Sequence, residues 1–128
     1  MGMRADSVEE LPVWQATRRF VDALSAISRR GSLSRDYQLR GQIDGCADSI
    51  LSNLAEGFGQ GTDRAFARYL FIARGSCAEA QAHLVVAEAR GHLGAEEAAR
   101  LREDGEEIRR MLTGFIGYLL RSDRKRRR

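Results

Sequence analysis

The sequence predicts an all-α protein: an antiparallel, up-down-up-down four-helix bundle that assembles into a homo-oligomer. Three observations predict it. Apolar residues recur at intervals of three and four along the chain, and no stretch alternates with period two. Breaks at Gly31-Ser32, at "GFGQG" and at "RGHLG" cut that pattern into four segments, and connections this short make consecutive helices antiparallel. The third segment is apolar over a wider arc than its own bundle can cover, which is the reason to expect further copies.

The first segment runs from about Leu11 to Arg30. Pro12 suits a first helical turn, where its missing N–H costs nothing. Val13, Thr17, Phe20, Leu24 and Ile27 form the inward stripe, widened by Trp14 and Val21. The second segment, about Asp36 to Glu56, follows with Ser34 or Asp36 available as its cap. Leu39, Ile43, Cys46, Ala47, Ile50, Leu51 and Leu54 share one face; Arg40, Asp44, Asp48 and Ser52 lie opposite. The third, capped by Thr62 or Asp63, continues to about Arg90. Phe66, Leu70, Ala73, Cys77, Ala80, Leu84 and Ala87 make a heptad seam. Tyr69, Ile72, Ser76, His83 and Val86 make a flanking one, read as the oligomer interface. The fourth, about Ala95 to Arg121, turns Leu101, Ile108, Met111, Leu112, Phe115, Leu119 and Leu120 inward. It also carries Gly105, Gly114 and Gly117, each costing about 1 kcal/mol unless a neighbouring helix approaches closely.

A chain of 128 residues, 43% hydrophobic and 30% charged, is one folded domain rather than a disordered segment. Residues 1–10 are read as a flexible N-terminus, 11–121 as the bundle and 122–128 as a basic tail. No apolar run approaches the roughly 18 residues of a membrane span. "MGMRADSVEE" lacks the apolar centre of a signal peptide, so a cytoplasmic, reducing location is expected. There Cys46 and Cys77 serve as small buried apolar groups. Net charge is +3, yet "RSDRKRRR" holds six of the 21 basic residues and one of the 18 acidic ones, so residues 1–120 are net negative.

Several motifs bear on function. "GFGQG" lacks the Lys-Ser/Thr of a phosphate loop and follows a helix instead of a strand. Gly57 is therefore read as the left-handed stop of the second helix. Asn53 and Glu56 complete this corner motif: Asn53 bonds loop carbonyls, and the Glu56 carboxylate reaches the N–H groups that open the third helix. No base or nucleophile stands at a spacing that would make Glu56 catalytic, and no Ser-His-Asp or Cys-His grouping is visible, so no enzymatic activity is expected. Glu79 and His83 share the only helical Glu/His spacing and have no second copy, so no metal or other cofactor is expected, and no small-molecule substrate is identified. Arg121, Arg124, Lys125, Arg126, Arg127 and Arg128 are either a solvated end or contacts for nucleic acid, the latter strengthened by avidity in an oligomer.

"LPVWQAT", "YQLRGQI", "SILSNLAEGFG" and "FARYLFIARGSCAE" occur in this order. Together they resemble the bacterial four-helix-bundle family of proteins encoded in intervening sequences of large ribosomal RNA genes. The accessory variability determinant of diversity-generating retroelements is related to that family. The resemblance spans about residues 11–120. It implies an up-down bundle assembled as a homopentamer, and it suggests nucleic acid and a reverse transcriptase as partners of the retroelement branch. Where the family usually carries paired arginines after the Gln-Ile of the second helix, this chain reads Ile43-Asp44-Gly45-Cys46-Ala47-Asp48. That substitution argues against nucleic-acid binding by the bundle surface and leaves the arginine-rich end to carry it. The expected function is thus a non-enzymatic scaffold or interaction protein, with a nucleic-acid-binding accessory protein as the alternative.

Overall fold

The computed structural model describes residues 5–127; Met1–Arg4 and Arg128 of the expected terminal segments lie outside the described residues. Four helices form the molecule: α1 (Pro12–Ser28), α2 (Tyr37–Phe58), α3 (Asp63–Ala89) and α4 (Ala95–Arg126), with single 3-10 turns at Val8–Glu10 and Gly31–Arg35. No strand occurs among the described residues.

Cross-helix contacts establish the antiparallel order. Ser49 on α2 meets Ser76 on α3, and Asp36 at the start of α2 meets Arg90 at the end of α3. Arg74 meets Thr113, Gln81 meets Arg102, and Asp63 meets Arg126 between α3 and α4. Arg30 at the far end of α1 bonds Glu97 near the start of α4 at 2.6 Å, which closes the ring.

Local chemistry accounts for the helix limits. Pro12 occupies the first turn of α1. Of the alternative caps, Asp36 accepts from the Leu39 N–H and Thr62 from the Ala65 N–H. Gly31, Gly61 and Gly91 take positive φ at the three connections, where a Cβ would be strained. Two boundaries differ from expectation. α2 runs through Gly57 to Phe58, so the left-handed turn falls at Gly61. α4 does not end at Arg121 but continues to Arg126. Basic residues in a last turn favour the helix dipole, and Arg126–Asp63 and Arg127–Asp123 pairs stand at 3.7 and 3.8 Å. Most of the expected tail is therefore helix.

The core contains all five expected α1 residues and, from α2, every expected residue except half-buried Leu51. On α3 the buried seam is as expected from Leu70 to Ala87, with Ala67 taking the place of Phe66. Phe66 instead stacks edge-on between Phe58 and Phe115. α4 buries Ile116, which the inward stripe omits, and leaves Met111, Phe115 and Leu120 partly covered. Of its three glycines, Gly105 is buried, and a Cβ there would stand 3.0 Å from the Gln81 side chain and 3.2 Å from Phe20. The close approach that offsets glycine's helical cost is thus realised at Gly105; Gly114 faces open space.

Candidate functional site

α3 is central, flanked by α2 and α4, and its surface divides into rows spaced by seven. Leu70, Cys77 and Leu84 lie at the centre of the buried face. Toward α2 lie Tyr69, Ser76 and His83, and outside them Ile72, Glu79 and Val86. Toward α4, outside Arg74 and Gln81, lies the row Phe71, Ala78 and Val85. Ile72, Phe71 and Val85 are 48%, 46% and 47% exposed, large apolar groups that this chain covers only in part, Phe71 by the Arg74 guanidinium 5.0 Å from its ring centroid.

The expected interface seam accordingly divides. Ile72 points outward and Val86 is half-buried at the rim. Ser76, by contrast, is buried, its hydroxyl 2.7 Å from that of Ser49. Tyr69 lies over Gly57, and His83 turns toward Cys46 and Glu79. Period alone put these residues in one stripe; the α2–α3 crossing covers its inner edge. Phe71 and Val85 were missed, although their separation of fourteen residues, two heptads, was a readable signal.

The corner motif is built differently from expectation. Asn53 Nδ2 donates to the Ser49 carbonyl at 2.8 Å and to Ser49 Oγ at 3.1 Å, one turn back along α2 instead of into the loop. With Ser76 this forms a polar chain, Asn53–Ser49–Ser76, joining α2 to α3. The Glu56 carboxylate is exposed and makes no hydrogen bond to α3 among the described residues; the Thr62 hydroxyl caps that helix start instead. Gly57 is helical and buried, and its role is steric: an added Cβ would lie 2.8 Å from both Phe66 Cδ1 and Tyr69 Cβ.

At the opposite end the fold assembles a Ser-His-Asp grouping that sequence reading did not find. His92, in the α3–α4 turn, places Nε2 2.8 Å from Asp36 Oδ2 and Nδ1 2.7 Å from Ser32 Oγ. Arg90 donates to the same Asp36 oxygen at 2.9 Å. The hydrogen bonds from His92 and Arg90 hold the Asp36 carboxyl at about 2, well below the ordinary carboxylate range. A depressed carboxylate contributes stability above its ordinary range and loses it as pH falls toward 2. Each contact joins one turn to another: Asp36 also caps α2, and Arg30–Glu97 lies at the same end. The grouping is a stitch across the end of the bundle.

The last turns of α4 form the basic surface. Arg121, Arg124 and Lys125 are exposed and form no ion pair among the described residues, whereas Arg126 and Arg127 face Asp63 and Asp123. One shallow groove is lined by Tyr118, Arg121, Ser122, Lys125 and Arg126, and another by Arg64, Leu120, Asp123, Arg124 and Arg127. No helix among the described residues is long and apolar enough to cross a membrane.

Residues 9–114 match the family model of the 23S rRNA-intervening sequence protein. The chain belongs to this family. The matched region holds α1 to α3, the α2–α3 corner and both apolar rows of α3. It stops before the basic end of α4, so the arginine cluster lies beyond the residues by which the intervening-sequence protein family is recognised. No curated protein matches the chain significantly.

Proposed function

We propose that this intervening-sequence family protein is a non-enzymatic homo-oligomeric scaffold or interaction protein of the cytoplasm, working as a pentamer through the outer rows of α3. The observation that carries this reading is the exposure of Phe71, Ile72 and Val85, roughly half of each side chain on the most central helix. Covering such a residue is worth about 1 kcal/mol, half the value of burying a whole aliphatic side chain. Several per subunit, repeated around a ring, supply a steady gain. Sedimentation equilibrium tests it: the wild-type protein should run at the mass of five chains at micromolar concentration. Ile72→Glu with Val85→Glu should shift it to the monomer with its helical signal unchanged. A wild-type monomer would overturn the reading.

A second reading, nucleic-acid binding, is favoured by Arg121, Arg124 and Lys125, which lie beside the α4 grooves and form no ion pair among the described residues. About three phosphate contacts per chain should lower affinity roughly fortyfold between about 50 and 200 mM salt, through released counterions. A titration with RNA and with DNA at both salt concentrations checks this. Arg124→Glu with Lys125→Glu should remove most of the binding; unchanged affinity in that variant would exclude the α4 end as the contact.

A further inference from the structure

One cluster on the α2–α3 edge has no place in either reading. Cys46 comes from α2, and Glu79 and His83 stand one turn apart on the facing edge of α3. One donor atom of each lies within 4.8 Å of the other two. Only the Glu79–His83 half was readable in the sequence; the helix crossing brings in Cys46. A tetrahedral zinc ion with bonds of about 2.0–2.3 Å needs donor separations of about 3.3–3.7 Å. His83 Nε2 and Glu79 Oε2 already stand at 3.8 Å. Glu79 is 64% exposed, so the remaining closure falls on the side chain with the most room to move.

A second observation points into the same space. His83 Nε2 is shielded from solvent and has no hydrogen-bond partner among the described residues. Its ring is only 16% exposed, and the carboxylate at 3.8 Å is too distant for a hydrogen bond. In the Nδ1–H tautomer, Nε2 presents a lone pair held out of water beside a thiol and a carboxylate, an arrangement that can receive an electrophile. Buried polar atoms are otherwise almost always bonded.

We propose that Cys46, Glu79 and His83 bind one divalent transition-metal ion of the zinc class per chain. Sulfur and imidazole donors select zinc or cobalt over magnesium and calcium, which take oxygen ligands. On binding, the Cys46 thiol releases its proton to solvent. The thiolate and the Glu79 carboxylate then balance the dication, and neutral His83 supplies the third bond. Three protein ligands leave the fourth position open. The ion clamps α2 to α3.

The test uses untagged full-length protein stripped of metal with a chelator. Calorimetric titration with zinc should give one ion per chain. Cobalt should give a thiolate charge-transfer band in the near ultraviolet and tetrahedral bands in the visible. Glu79→Gln and His83→Gln, at exposed and rim positions, should each weaken zinc binding about a hundredfold or more, at least the cost of losing an outer-sphere partner. Cys46→Ser should abolish the charge-transfer band, and Cys77→Ser should leave it intact, since Cys77 instead donates to the Gly105 carbonyl. Absence of stoichiometric zinc binding, or a band and affinity that survive in Cys46→Ser and His83→Gln, would overturn the proposal.

Discussion

Replacing Leu84 with alanine should lower the unfolding free energy by about 3–5 kcal/mol, measured by urea denaturation at fixed protein concentration. Leu84 is completely buried on the mid-line of the inward face of α3, between the two helices that flank it. Truncating leucine at such a site forfeits the transfer energy of the lost carbons and leaves a cavity, and the combined cost spans about 2–5 kcal/mol. The upper part of that range applies because α3 is flanked by α2 and α4 and cannot settle inward on both sides. Alanine already occupies Ala73, Ala80 and Ala87 on the same buried face, all fully covered. The close helix spacing they permit leaves little freedom to absorb another void. A loss below about 1 kcal/mol would mean that α3 is not the centre of the core.

Gly57→Ala should destabilise the protein by about 1–2 kcal/mol, although the same change at Gly45 should stabilise it by up to about 1 kcal/mol. Both glycines are helical and lie in α2, so intrinsic propensity favours alanine equally at each. Space separates them. At Gly45 an added Cβ meets nothing within 4 Å. At Gly57 it would stand 2.8 Å from Tyr69 Cβ, an atom fixed to the α3 backbone, and from the Phe66 ring. Separating α2 from α3 there costs about 1–3 kcal/mol as overpacking, more than propensity returns. Thermal melts of the two variants side by side decide it: equal shifts would remove the steric account of the corner.

These two positions show where sequence reasoning succeeds and where it stops. Leu84 was legible, because a heptad seam needs only the period of the helix. Gly57 was legible as important but misread in role. A glycine at a helix end and one at a helix crossing look alike until the partner helix is placed. Asn53 and Glu56 failed for a related reason. Glu56 was expected to reach unmet N–H groups, one of which Thr62 had already met, and Asn53 to bond loop carbonyls, where it finds the Ser49 carbonyl one turn back instead. Ser76 was placed on an outer seam, yet Ser49, 27 residues earlier, covers it. His92 gains Asp36 and Ser32 as partners only because two connections converge at one end of the bundle, which no spacing in the sequence announces.

Periodicity, glycine placement and capping residues were enough to specify four antiparallel helices and nearly all of their buried faces. Those signals are local, carried within one or two turns, and burial of the apolar stripes leaves few alternatives. Which side chains meet across helices was decided by the tertiary structure alone. The α2–α3 packing, in close approach at Gly57, brings Cys46 to Glu79 and His83 and Ser49 to Ser76. A register between helices depends on backbone approach summed over many contacts, and no single residue or spacing encodes it.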